Sequence, residues 1–282
     1  MQTIITVCEL RQVLAEAVRA DKRVGLVPTM GYLHEGHLAL VEASRAQCDV
    51  TVVSIFVNPT QFGPSEDLAT YPRDLLRDER LCREAGVAIV FAPEVQQLYP
   101  THFETFVEPG ELANSLCGVF RPGHFRGVAT VVCKLFNLVG PDVAFFGQKD
   151  FQQCAIVRRA VADLNLPVEI ITVPTVRELD GLAMSSRNRY LGEEERRRAL
   201  AISRGLFAAE VEFQEGERNV EALVAIVRRH LDEIDRVQYV ELVDTDTLKP
   251  ATSPLSCPAA LCAAAYVGST RLIDNIILKP KV

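Results

Sequence analysis

Apolar residues recur along the chain in two periods, and the alternation between those periods predicts the fold. Val24 to Pro28 is a short apolar run suited to a buried strand, and Leu38 to Ala46 follows as a helix with Leu38, Val41 and Ala46 on one side. Val50 to Val57 (VTVVSIFV) is dense in β-branched and aromatic residues, as a strand buried on both faces of a parallel sheet requires. The series continues with a helix over Leu75 to Ala85 and a strand over Ala88 to Ala92 that Pro93 ends. A helix over Val128 to Val139, a strand over Val143 to Phe146, a helix over Phe151 to Leu164 and a strand over Val168 to Val173 complete it. Repeated strand–helix–strand units predict an α/β fold, with a parallel sheet, right-handed crossovers and helices on both faces. In such sheets small molecules bind at the carboxyl ends of the strands.

The pattern changes after Pro174. A polar stretch, Arg177 to Arg189, precedes a charged helix from Glu193, where Glu193–Arg197 and Glu194–Arg198 have the i, i+4 spacing of an exposed helical face. A second helix is predicted over Asn219 to Ile234, and strands over Gln238 to Val243, Ala260 to Val267 and Arg271 to Leu278. The expected organisation is a parallel-sheet domain over 1–175 and a smaller α+β domain over 176–282, with no internal repeat.

Composition excludes several classes. The 282 residues are 48% hydrophobic and 24% charged, ordinary for a globular enzyme. The net charge of −7 disfavours a nucleic-acid partner, which would call for a basic excess. The longest apolar runs, Ala259 to Val267 and Val128 to Val139, are short or broken by Lys134, so no membrane span is expected. Met1 to Leu10 lacks a basic n-region and carries Glu9, unlike a secretory signal. The eight cysteines form no C-x-x-C pair, which fits free thiols in a reducing cytosol better than disulfides or a zinc site.

The first segment with chemistry is Pro28-Thr-Met-Gly-Tyr-Leu-His-Glu-Gly-His37, between the first strand and the first helix. Gly31 and Gly36 let a ligand approach the backbone, and the helix start offers free N–H groups and a positive dipole end to a phosphate. Gly31-x4-Gly36 has P-loop spacing, but His37 and Leu38 stand where Lys and Ser/Thr would be, so this is not that motif. His34 and His37 read as phosphate donors in preference to zinc ligands, since H-x-x-H lacks the zinc-helix spacing and a third partner. Polar groups also follow later strands: Asn58-Pro-Thr-Gln61, then Gly147-Gln-Lys-Asp150 with Gln152 and Gln153, and Met184-Ser-Ser-Arg187 at the domain junction.

These strings, with Phe56 to Phe62, Arg121-Pro-Gly-His-Phe-Arg-Gly127 and Met184 to Asn188, run in order over most of the first 190 residues, and the chain resembles the pantoate–β-alanine ligase family. Tyr32 stands where that family more often has a smaller residue. The resemblance implies a Rossmann-like domain of the nucleotidylyl-transferase type with a small C-terminal lid domain. It implies ATP-dependent joining of pantoate to β-alanine through a pantoyl-adenylate, with Mg²⁺, in a cytoplasmic homodimer that takes only small-molecule substrates and holds no protein-ligated metal. By the same resemblance, Met30, Gly31, Tyr32, Leu33, His34, Glu35, Gly36 and His37 line the ATP site, with His34 and His37 on the phosphates and His37 as proton donor. Gly147, Gln148, Lys149, Asp150, the backbone of Val176, and Met184, Ser185, Ser186 and Arg187 complete it. His37, His34, Lys149 and Arg187 are the expected catalytic residues. Gln61 is expected to hold pantoate and β-alanine, and Gln153 pantoate.

Alternatives differ in chemistry. A nucleotidyltransferase for an alcohol phosphate would want cations where uncharged Gln61 and Gln153 stand. A nucleotide sensor would bind ATP without releasing pyrophosphate, and a zinc hydrolase would carry metal. An aminoacyl-tRNA synthetase shares the histidine signature but calls for an anticodon-binding appendage and a positive surface.

Overall fold

A computed structural model describes residues 1–64 and 66–280. Its first sheet is six-stranded and wholly parallel, built from β1 (Gln2–Ile4), β2 (Val24–Thr29), β3 (Val50–Ile55), β4 (Ile89–Phe91), β5 (Val143–Gly147) and β6 (Glu169–Val173), in the order β1-β4-β3-β2-β5-β6. From β2 the chain winds one way to β3 and β4, and later the other way to β5 and β6. The switch point therefore lies between β2 and β5, where their carboxyl ends diverge and leave a crevice. Strands β2, β3 and β5 are buried almost throughout, as their continuous apolar runs require.

Helices α1 (Val7–Arg19), α2 (Glu35–Arg45), α3 (Leu75–Glu84), α6 (His124–Val139) and α7 (Phe151–Asp163) cover this sheet, and α4 (Val95–Leu98) and α5 (Cys117–Phe120) are single turns. One buried cluster joins Leu10 and Leu14 to Val52, Phe91, Val128 and Ile156, and a second joins Val27, Val53 and Phe145 to Leu40 and Val41. The expected parallel sheet is thus present, with two additions. Strand β1 and helix α1 were not predicted, although Leu10, Leu14 and Ala17 form a buried helical stripe and the Thr6 side chain accepts from the Glu9 amide. The starts of α2 and α6 lie earlier than apolar periodicity placed them, because polar His34 and left-handed Gly123 are the caps.

The second sheet is an antiparallel meander of β7 (Arg236–Asp244), β8 (Ala259–Val267) and β9 (Thr270–Leu278), accompanied by α8 (Glu193–Gln214) and α9 (Val220–His230). Strand β8 is alanine-rich because it is covered on both sides. Ala260, Cys262 and Ala264 join the core that contains Phe151 and Val128, while Leu261, Ala263 and Val267 pack with Leu206 and Leu223 of α8 and α9. The predicted i, i+4 pairs on α8 do not form. Arg197 bonds Glu194 one turn back, at i, i+3, and Arg198 reaches Asp235 at 2.8 Å, because the entry to β7 supplies it a carboxylate. No helix among the described residues is long and apolar enough to cross a membrane.

Candidate active site

The crevice at the carboxyl ends of β2, β3 and β5 is lined by Met30, His34, Gly36 and His37 on one side and by Gly147, Lys149, Asp150 and Gln153 on the other. Gln61 forms part of its floor, and Val176 with Met184, Ser185, Ser186 and Arg187 closes it from the segment after β6. Residues from four separate stretches of sequence therefore meet in one cleft.

The β2–α2 loop is held in shape by Asp78 of α3. Its buried carboxylate accepts the amides of Tyr32 at 2.7 Å and Leu33 at 2.8 Å, where Gly31 (φ 81°) and Tyr32 (φ 50°) turn the chain through the left-handed region. The loop delivers His34 as the N-cap of α2: its Nδ1 accepts from the Gly36 amide at 3.1 Å, while Nδ1 of His37 accepts from the His34 amide at 3.3 Å. Both rings open on the cleft yet are packed among protein atoms. Burial, then the Lys149 charge, lowers His34 to about 4; burial, then His34 and Lys149, holds His37 well below its ordinary value. The two imidazoles are neutral at physiological pH, so they can donate hydrogen bonds but carry no charge. The cations lining the cleft are Lys149, with Asp150 3.7 Å away, Arg187, whose Nε and Nη2 reach Asp67 at 2.9 and 2.7 Å, and Arg121 near Gln61.

Gln61 sits in a short turn, Pro59–Gln61, after β3. Asn58, 1% exposed, donates to its side-chain oxygen at 3.2 Å and to the carbonyl of Gly127 at 3.1 Å. His124 holds the Gln61 carbonyl through Nδ1 at 2.8 Å, while Arg121 contacts the His124 Nε2 at 3.0 Å and pairs with Glu66 at 2.6 Å. Burial and the adjacent Arg121 lower His124 to about 4. On α7 the two glutamines divide: Gln152 is buried and bonds Cys117, Leu112 and Ser115, whereas Gln153 faces the cleft.

Most of the expected site residues thus meet, and five do not line the crevice. Gly31 shapes the turn, Leu33 is buried with Val27 and Val53, and Glu35 is exposed. Tyr32 lies between the guanidiniums of Arg77 and Arg189, and the Gln148 side chain turns away to Asn275. Sequence reasoning missed Asp67, Tyr71, Asp78, Arg121 and His124 as site-forming groups, and it named Asn58 among the polar groups after a strand without a role of its own. Arg121 and His124 stood inside a quoted string but carried no role, since their partners come from a segment 60 residues away.

The pattern of the pantoate-beta-alanine ligase family matches residues 2–277. Pantothenate synthetase 1 of Bradyrhizobium diazoefficiens is 70% identical over 278 residues, covering 99% of this chain and 98% of its own. The pantothenate synthetase of Thermus thermophilus superposes with a TM-score of 0.93 at 48% identity, over 99% of this chain and 100% of its own. The pantoate-beta-alanine ligase of Francisella tularensis, solved in complex with beta-gamma ATP and beta-alanine, superposes at 0.81 with 33% identity, over 100% of this chain and 99% of its own. The chain therefore belongs to the pantoate-beta-alanine ligase family.

Proposed function

We propose that this protein condenses (R)-pantoate with β-alanine at the expense of ATP, forming pantothenate, AMP and diphosphate through a pantoyl-adenylate. The observation that carries the reading is the division of one cleft: neutral imidazole donors, Lys149 and Arg187 surround one part, and the uncharged amides of Gln61 and Gln153 border another. The first suits a polyphosphate, the second a small hydroxy acid. The Francisella relative was solved with a nucleotide and β-alanine, which supports the same use here.

In the first step a pantoate carboxylate oxygen attacks the α-phosphorus of ATP, and the bond to the β-phosphate oxygen breaks as diphosphate leaves. The requirement is alignment and neutralisation of charge more than a base. The His34 and His37 rings, Lys149, Ser185, Ser186 and Arg187 serve that need, with His37 donating toward the leaving phosphate; the amides of His34, Gly36 and His37 at the start of α2 are already bonded within the turn. In this reading Met30 to His37, Gly147 to Asp150, the Val176 backbone and Met184 to Arg187 enclose the nucleotide, some by lining it and Gly31, Tyr32, Leu33, Glu35 and Gln148 by shaping the walls. Gln61 and Gln153 hold pantoate's hydroxyls, with Gln61 beside β-alanine. A site that pairs hydroxyls rejects acids lacking them. In the second step the neutral amine of β-alanine attacks the acyl carbon, AMP leaves and the amine gives up its proton.

Mg²⁺ would come with the nucleotide. Among the described residues no three metal-ligating side chains cluster, and Asp150 is the carboxylate lining the crevice, which fits an ion bound mainly by phosphate oxygens and water. A division into units 1–175 and 176–282, with the second as lid, belongs to the same proposal, as does a cytoplasmic homodimer; sedimentation of the purified protein tests the dimer. The reaction is tested by diphosphate release from MgATP with D-pantoate, with and without β-alanine. Turnover only with both acids, and diphosphate exchange with pantoate alone, are expected. No exchange with pantoate overturns the proposal.

A further inference from the structure

Strand β9 lies far along the chain from every expected site residue, yet two consecutive side chains of it reach two of the walls of the cleft, the Lys149 turn and the segment leading to Ser185. Asn275, 2% exposed, donates from Nδ2 to the carbonyls of Gln148 and Lys149, both at 3.0 Å, and its Oδ1 accepts the Gln148 side chain at 3.3 Å. It thereby holds the backbone of the turn that carries Lys149. Asp274, 4% exposed, takes both Nη groups of Arg177 at 2.7 and 3.0 Å. Arg177 opens a narrow two-limbed loop: it bridges to Ala183, and the Met184 amide bonds the Val176 carbonyl at 3.0 Å. The returning limb runs straight into Ser185, Ser186 and Arg187.

Asp274 Oδ1 also accepts the backbone amide of Asn275 at 2.7 Å, so its carboxylate is fixed to the strand itself as well as to Arg177. Successive side chains of a strand point to opposite faces, and here each face serves a different wall. Buried polar groups in a strand flanked by Ile273 and Ile276 are tolerated only when paired, because an unpaired one keeps its full desolvation cost. Both are paired here, and every partner outside β9 belongs to a segment that delivers a cation or hydroxyl to the cleft.

We propose that Asp274 and Asn275 are positioning residues for adenylation, a splint that sets the spacing between the Lys149 turn and the Ser185–Arg187 segment. The role rests on the nucleotide lying between those segments, as in the reading above. A splint of this kind is felt by the polyphosphate, which touches both walls, and not by pantoate at Gln61 and Gln153.

The test measures equilibrium binding of MgATP, which does not depend on turnover, beside the KM for each substrate and kcat of diphosphate exchange. Asn275→Ala and the isosteric Asn275→Asp, which removes the donor without leaving a hole, are each expected to weaken MgATP about tenfold and lower kcat, with the pantoate KM within about twofold of the unaltered protein. Asp274→Asn, which keeps the volume and removes the ion pair, is expected to give the same split and stands in where an Asn275 variant does not fold. Folded variants that bind MgATP as the unaltered protein does, or that lose ATP and pantoate by the same factor, overturn the splint. Failure of the unaltered protein to exchange diphosphate with pantoate overturns the ligase reading instead, and the MgATP binding comparison still decides the splint.

Discussion

The rings of His34 and His37 stack with centroids 4.0 Å apart, and each uses its Nδ1 to accept a backbone amide of the same helical turn. Accepting through Nδ1 leaves the proton of each neutral ring on Nε2. The cap of α2 is therefore also the device that gives two cleft histidines a defined tautomer. His37→Ala removes one such donor and is expected to lower diphosphate exchange at least ~10²-fold, the scale of losing one oriented donor to a developing charge. An exchange rate near that of the unaltered protein would take His37 out of the chemistry.

The depressed histidines carry a pH signature in stability. His34 and His124 titrate near 4 in the folded protein and His37 is also well below 6.5, so all three bind fewer protons folded than unfolded in that interval. Their contribution is whole above pH 6.5 and is lost as the pH falls toward 4. The urea midpoint should hold between pH 8 and 7 and fall steadily from 6.5 to 5. A midpoint flat down to pH 5 would mean that the rings charge freely in the fold.

Asp78 should matter to a site it does not line. Asp78→Ala leaves the amides of Tyr32 and Leu33 without acceptors, at a cost of roughly 2–5 kcal/mol for two buried donors, and it releases the loop that seats His34. Urea denaturation should show the loss, and the KM for ATP should rise even where folding is retained at low temperature.

Gly127→Ala sets two effects against each other. Alanine is favoured over glycine inside a helix by about 1 kcal/mol. A Cβ at position 127, however, would stand 2.4 Å from the Thr60 carbonyl oxygen and 2.7 Å from the Gln61 Cα, both backbone atoms of the turn that carries Gln61. The clash should win, destabilising by about 1–3 kcal/mol and raising the pantoate KM. A stabilised variant with unchanged pantoate KM would show that α6 and this turn can separate freely.

Neighbouring glutamines on α7 should separate cleanly. Gln153→Ala is expected to raise the pantoate KM far more than the ATP KM. Gln152→Ala removes three internal hydrogen bonds and should appear first in thermal stability. Equal increases of both KM values for Gln153→Ala would remove it from the pantoate subsite.

What the sequence determined by itself was what local pattern and short strings can hold. Buried parallel strands need unbroken apolar runs, so Val50 to Val57 and Val143 to Phe146 were legible, and with them the sheet. Polar strings directly after strands put His34 and Lys149 at one sheet end, and the polar stretch at the domain junction carried Ser185. Edge strand β1 was not legible, since three residues hold no period, and the salt bridges of α8 were misassigned because partners near in space need not be near in sequence. Tertiary structure alone decided which groups are charged: burial and the approach of Lys149 make both cleft histidines neutral, and neither effect is written in their neighbours along the chain. It alone also brought Asp78, Arg121, His124, Asp274 and Asn275 to the site, through bonds to segments 45 to 127 residues away. Hydrogen bonds and desolvation act over a few ångströms of space, and only the folded chain says which residues share those ångströms.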